Sequence, residues 1–267
     1  MKTERKTCFI VGAGSFSGMS IKPEAEDLVI AADGGYKYLI EMGIEPDVLL
    51  GDFDSLEIVP EHRHLIRHSP IKDDTDMALA VAYAKAEGYR RFFLYGGLGG
   101  RLDHTIANLQ LMTGMSQDGL EVYLIGEGII ATTISGQMKP ECTMNMLMEM
   151  TDETTNSIVD LIRDEKVANS FENAEVDLEQ SAYVREEICF ASSAQGMISV
   201  FCMGEPARGV WEKGLKYTLS DVVLPGNTTL GVSNEFLGYE SSISVESGTL
   251  LVMWDEKNGL PVKRRTR

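Results

Sequence analysis

Positive charge is what this chain is short of. It carries 24 Lys and Arg against 41 Asp and Glu, a formal net charge of −17 over 267 residues. A surface so acidic repels phosphate backbones and anionic lipid, which argues against a nucleic-acid partner and against a membrane partner. The one basic cluster, Lys263, Arg264, Arg265 and Arg267, reads as a frayed terminus rather than a nucleic-acid arm. Cysteine is scarce as well. Cys8, Cys142, Cys189 and Cys202 show no zinc or CxxC spacing, so reduced thiols and a cytoplasmic location are expected. The chain has no run of about 18 apolar residues to span a bilayer. Its opening, MKTERKTCFIVGAG, passes from charges into an apolar stretch too brief for a signal sequence. Internal repeats are absent too. Apolar residues are plentiful: at 43% hydrophobic the chain can bury a sizeable core, and its length allows one large domain or two modest ones.

The first half alternates between two periods. Short apolar runs at 7–12, 27–32, 47–50, 91–95 and 121–125 read as buried strands. Helical patterns at 36–43, 74–87 and 103–115 lie between them, two of them stopped by Gly43 and Gly88. This alternation predicts an α/β domain with a mostly parallel sheet, over residues 1–133. From about 186 the pattern turns to short alternating stretches at 186–190, 196–203, 228–233, 241–246 and 249–254, which predict an all-β sandwich domain over 186–258. Residues 136–185 fit neither. They hold Met138, Met144, Met146, Met148 and Met150, then an amphipathic stripe of Ile158, Leu161 and Ile162, and read as a structural elaboration at the domain junction.

Chemistry concentrates where the strands of the first half end. In parallel α/β sheets ligands bind beyond the carboxyl ends of the strands, and Asp and Gly clusters fall there repeatedly. Asp52 and Asp54 are two apart at a strand end, so the pleat would point both carboxylates to one side. With Asp76 they form a candidate magnesium site, because Mg²⁺ takes one or two carboxylates together with substrate phosphates. Asp73 and Asp74 are equally explained as acids at a helix start. Gly96-Gly97-Leu98-Gly99-Gly100-Arg101 is either a tight turn or an anion cradle, with Arg101 as a forked donor. His104, just after Asp103, is a base, a phosphate donor or a cap. His62, His64 and His68 are spaced as a conceivable zinc site but flanked by Glu61, Arg63 and Arg67, which favours a solvated polar segment. Gly12-Ala13-Gly14 with Asp33 imitates a dinucleotide fingerprint. Ser17 stands at its third position, and the segment 15–26 has no helical stripe, so that reading is set aside.

Six short motifs occur in order: Ala31-Ala32-Asp33-Gly34-Gly35, Gly51-Asp52-Phe53-Asp54-Ser55, Lys72-Asp73-Asp74-Thr75-Asp76, Gly96 to His104, Gly214-Leu215-Lys216-Tyr217, and Gly231-Val232-Ser233-Asn234-Glu235-Phe236. Together they resemble the thiamine pyrophosphokinase family over about 1–133 and 186–255. The resemblance implies an α/β domain followed by a β-sandwich, a homodimer with sites between subunits, and the reaction ATP + thiamine → AMP + thiamine diphosphate with Mg²⁺. It also implies roles. Asp52, Asp54 and Asp76 would hold metal and polyphosphate. Asp33, Gly34, Asp74 and Thr75 would line the nucleotide site, and Arg101, Gly97, Gly99, Gly100, Asp103 and His104 would meet phosphate. Tyr217, Ser233 and Asn234 would hold thiamine, with an aromatic face offered to a cationic ring. A non-catalytic thiamine- or nucleotide-binding relative, and another magnesium-dependent pyrophosphokinase or nucleotide hydrolase on the same fold, are the competing readings. The proton acceptor is open among Asp74, Asp76 and Asp103.

Overall fold

The computed structural model describes residues 6–53, 62–67, 74–138 and 183–266. Asp54, Asp73, His68, Cys142 and nearly all of the 136–185 segment lie outside them. The first strands are β1 (Thr7–Val11), β2 (Leu28–Ala32), β3 (Val48–Gly51), β4 (Leu65–Arg67), β5 (Arg91–Tyr95) and β6 (Glu121–Gly126). They form a parallel sheet in the order β4-β3-β2-β1-β5-β6. Helices α1 (Gly35–Glu41), α2 (Asp76–Ala86) and α3 (Leu102–Gln117) cover it. Consecutive residues of a strand face opposite sides, and here both sides are apolar. Cys8, Ile10, Leu50 and Leu94 pack with Met77 and Ala80 of α2 and Met112 of α3. Phe9, Val11, Leu49 and Phe93 pack on the other side with Leu39 of α1. Burial on both faces is why these strands read as continuous apolar runs.

The sheet does not stop at β6. Strand β7 (Ile129–Met138) runs antiparallel to it, β14 (Gly248–Asp255) adds to β7, and β9 (Met197–Cys202) and β12 (Asn234–Glu235) follow. A second sheet of β15 (Val262–Thr266), β8 (Tyr183–Phe190), β13 (Ser241–Val245), β10 (Ala207–Lys213) and β11 (Leu219–Leu224) faces this extension. Ile188, Val210, Ile243, Val245, Leu250, Val252 and Trp254 fill the space between. The expected class, a parallel α/β sheet followed by an antiparallel β-rich region, is what the chain adopts.

Several expectations are corrected. Residues 228–233 are turns, not a strand. Strands β4, β7, β10, β11 and β15 had no counterpart in the sequence pattern. The basic tail is not frayed: β15 pairs with β8, the Lys263 ammonium donates to the Thr133 carbonyl at 3.1 Å, and Arg265 lies 3.6 Å from buried Glu186. Cys8, Cys189 and Cys202 are free thiols. No helix among the described residues is long and apolar enough to cross a membrane.

Candidate active site

The loops that leave β1, β2, β3 and β5 meet at one edge of the sheet. The amide of Gly12 donates to the Tyr95 carbonyl at 2.8 Å and that of Gly14 to the Gly96 carbonyl at 3.0 Å. Gly96 has a φ of 65°, and a Cβ there would stand 2.3 Å from the Gly12 carbonyl oxygen, so no other residue lets the two loops approach so closely. The glycines that imitate a nucleotide fingerprint thus have a packing reason. Met77 of α2 reaches the Gly12 position, with its methyl 3.0 Å from where a Cβ would be, so the first turn of α2, and Asp76 with it, sits at this edge. Thr75 caps α2, its hydroxyl accepting from the Ala78 amide at 3.2 Å. Asp33 has a φ of 49°, donates its amide to the Leu50 carbonyl at 2.7 Å and abuts Gly51, where a Cβ would lie 3.0 Å from the Asp33 Cα. Asp33, Asp52 and Asp76 are therefore gathered on three adjoining elements.

The reason given for pairing Asp52 with Asp54 fails in its geometry. β3 ends at Gly51, and Phe53 is buried with a φ of 61°, so the pleat does not continue through Asp52 and Phe53. Among the described residues no three His, Cys, Asp or Glu side chains converge on one point.

The glycine-rich loop is more occupied than a bare anion cradle. Asn108, buried on α3, donates to the Gly97 carbonyl at 2.8 Å, and the Gly99 amide donates to the Thr105 hydroxyl at 3.2 Å. Helix α3 itself starts without a side-chain cap, which leaves its first turn facing the loop edge as an anion-favouring end. Arg101 forms a two-point pair with Asp103, Nη2 to Oδ2 at 2.5 Å and Nε to Oδ1 at 3.2 Å. That hydrogen bond holds the Asp103 carboxyl down to about 2 and raises the Arg101 guanidinium above its ordinary value. The pair is exposed, and a guanidinium has five N–H donors, so others remain for an anion. Asp103 also accepts from the His104 amide at 3.0 Å; His104 and Asp74 are exposed. Gly34 precedes α1 as its cap residue.

A second polar cluster lies in the sandwich. Asn234 is buried and its amide is saturated: the oxygen accepts from the Tyr217 and Glu235 amides at 2.9 Å each, and the nitrogen donates to the Tyr217 carbonyl at 2.6 Å and to Glu212 Oε2 at 2.7 Å. Tyr217 is 62% exposed, so its ring is offered to solvent while its backbone is clamped. The Lys216 ammonium lies 5.8 Å from that ring's centroid and is held by Glu235 at 2.8 Å. Ser233 has a φ of 59° and donates its amide to the Ser199 hydroxyl at 3.0 Å. Glu212 was missed from sequence. It is wholly buried on β10, and burial pushes its carboxyl up to about 7 against the lowering effect of the Asn234 hydrogen bond.

The two clusters do not meet within one chain. Between β2, which leads to Asp33, and β12, which holds Asn234, lie seven interstrand steps. At 4.8 Å a step this is roughly 34 Å along the sheet. A cavity of about 440 Å³ lined by Lys22, Glu24, Asp27, Ile44 and Asp47 lies at the opposite, amino-terminal side of β2 and β3 and belongs to neither cluster.

Acids, glycines and an open helix end at the carboxyl edge of a parallel sheet, with a second ligand-type cluster in a β-sandwich, define a two-part small-molecule-binding protein of the α/β class. Residues 23–124 match the thiamin pyrophosphokinase catalytic domain and residues 186–250 the thiamin pyrophosphokinase vitamin B1 binding domain. The chain belongs to the thiamine pyrophosphokinase family. A thiamine pyrophosphokinase of Bacillus subtilis (strain 168) is 24% identical over 233 residues, 85% of this chain and 86% of that protein. The fold is shared with a B. subtilis thiamine pyrophosphokinase structure (TM-score 0.67, 21% identity, 94% of this chain and 99% of the other). It is shared also with one from Geobacillus thermodenitrificans (0.62, 19%, 95% and 99%) and with the yeast enzyme (0.55, 14%, 94% and 86%).

Proposed function

We propose that this chain transfers the pyrophosphoryl group of ATP to the hydroxyl of thiamine, giving thiamine diphosphate and AMP. The observation that carries the reading is the ordered presence of both family regions, each with its polar cluster folded. Residues 1–133 serve the nucleotide and 186–258 serve thiamine, in a cytoplasmic enzyme. Carboxylate oxygens are hard donors that suit Mg²⁺, and Asp52 and Asp76 stand on adjoining elements at the sheet edge; with Asp54, outside the described residues, they would hold it, substrate phosphates completing the shell. Bound there, the metal would supply neutralisation of polyphosphate charge.

The thiamine hydroxyl attacks the β-phosphorus, the new O–P bond forms as the α–β bridge breaks, and AMP leaves in line. Asp33, Gly34, Asp74 and Thr75 line the nucleotide, and the start of α3 with Gly97, Gly99, Gly100 and His104 faces phosphate. Arg101 offers its remaining N–H groups to charge on the transferred group while Asp103 fixes its direction. Asp103, held down to about 2 by Arg101, is a poor proton acceptor; Asp74 and Asp76 stay open for that role. Tyr217 gives its exposed face to the thiazolium cation, the attraction that already draws the Lys216 ammonium. Ser233 precedes Asn234, which holds the Tyr217 backbone.

Reacting atoms must come within about 3.5 Å. Seven interstrand steps separate the two clusters along the sheet of one chain, which supports a homodimer in which thiamine on one copy meets ATP on the other. The test is direct: purified protein with thiamine, ATP and Mg²⁺ should release thiamine diphosphate and AMP in equal amounts, and EDTA should stop it. Release of ADP, or thiamine binding without turnover, would overturn the reading, the latter in favour of a non-catalytic relative.

A further inference from the structure

The polar cluster of the sandwich contains a group with no part in the chemistry above. Glu212 is inaccessible to solvent, and so cannot touch a substrate. Its Oε2 accepts from Asn234 at 2.7 Å, whereas its Oε1 has no hydrogen-bond partner among the described residues. A buried carboxyl left half-satisfied is expensive, and a sandwich core would be more stable with an apolar residue at that place. What the group holds accounts for its presence.

On one side is Asn234, all of whose amide capacity is spent on Glu212, on both backbone groups of Tyr217 and on the Glu235 amide. Without Glu212 one N–H of Asn234 is left buried and unpaired, and the amide that grips Tyr217 loses its one tie to β10. On the other side is the turn before β12. Gly231 has a φ of 94°, and a Cβ on it would lie 3.1 Å from Glu212 Oε1 and 2.9 Å from the Val200 carbonyl oxygen. The carboxyl therefore also sets how far the 231–233 turn can enter, and with it the position of Ser233.

We propose that Glu212 is the positioning residue of the thiamine subsite: it aligns Tyr217 through Asn234 and seats Ser233 through Gly231, without contacting the ligand. This rests on the reading of Tyr217 and Ser233 as thiamine contacts. The experiment is steady-state kinetics on the full-length dimer with Glu212→Leu and Glu212→Gln. Leu keeps bulk and removes the acceptor. It should raise the KM for thiamine about tenfold or more, with kcat and the KM for ATP within about twofold, the signature of lost binding rather than lost chemistry. Gln keeps the acceptor for Asn234 and should bring the thiamine KM back to within about threefold of the parent. Should Glu212→Leu not fold, Glu212→Asp, which withdraws the oxygen by one methylene, must show the same selective rise. An unchanged thiamine KM in the folded Leu or Asp variant, or equal loss in kcat, overturns the proposal. A parent protein that makes no thiamine diphosphate would instead remove the functional reading on which it stands.

Discussion

Glu212 should make the stability of this protein fall with rising pH over a defined window. Its carboxyl titrates at about 7 in the folded chain against an ordinary 4.5, because burial disfavours the charged form more than the Asn234 hydrogen bond favours it. A group with a raised pKa keeps its proton longer in the folded state. Between pH 4.5 and 7 the folded chain therefore binds more protons than the unfolded one, and stability declines as pH rises. At 1.36 kcal/mol per pKa unit the full penalty is about 3 kcal/mol, absent below pH 4.5 and complete above pH 7. Glu212→Gln cannot ionise, so its unfolding free energy minus that of the parent should rise by about this amount from pH 5 to pH 8. Urea unfolding of both proteins across that range measures the difference, and every other titrating group cancels in the subtraction. A difference that stays flat within about 1 kcal/mol, or that shrinks with pH, would refute the reasoning.

Asp52→Asn should cut turnover by at least about a hundredfold while the circular dichroism spectrum is kept, checked by product release at saturating ATP. Arg101→Ala should return the Asp103 carboxyl from about 2 toward 3.8, read by NMR titration, with no change in unfolding midpoint because the pair is exposed. Gly96→Ala should destabilise by at least about 2 kcal/mol in urea, since it combines a positive φ with a Cβ 2.3 Å from backbone. Deleting residues 262–267 strips β15 from one edge of β8 and should lower the thermal midpoint by several degrees, whereas a frayed tail would leave it unchanged.

The parallel half of the fold was legible because its strands are apolar on both faces and its helices end at glycines. The missed strands hide their period for physical reasons. In β7 the buried positions include Thr132 and Thr133, whose hydroxyls donate to the Val122 and Met112 carbonyls, so polar letters stand where burial is complete. In β10 the register shifts twice, and buried Glu212 inverts the alternation. In β11 Asp221 has a φ of 53° and only Leu224 is buried. The acids and glycines of the strand-end site could be picked out because their types are unusual at those places. Two things could not. One was the positive φ at Phe53, just past the end of β3, that breaks the pleat after Asp52. The other was the division of labour in the sandwich, where Asn234 is spent on the protein itself and Glu212, an ordinary surface letter, is buried behind it.

The continuous sheet also bears on how the protein is made. Strand β14 pairs along its whole length with β7, from Ile129 opposite Asp255 to Gly136 opposite Gly248. A ribosome that has delivered β7 has delivered the whole parallel half, yet that half ends in an open edge until β14, over a hundred residues later, emerges. Unpaired edges are templates for wrong partners, and pairing so distant in sequence is slow to form. Helix α3 lies across both strands and shelters one face during the wait, with Thr133 bonded to the Met112 carbonyl and Ser135 to Ser116. The two halves are thus joined in time as well as in space: the parallel half acquires its finished border only when most of the antiparallel half has emerged.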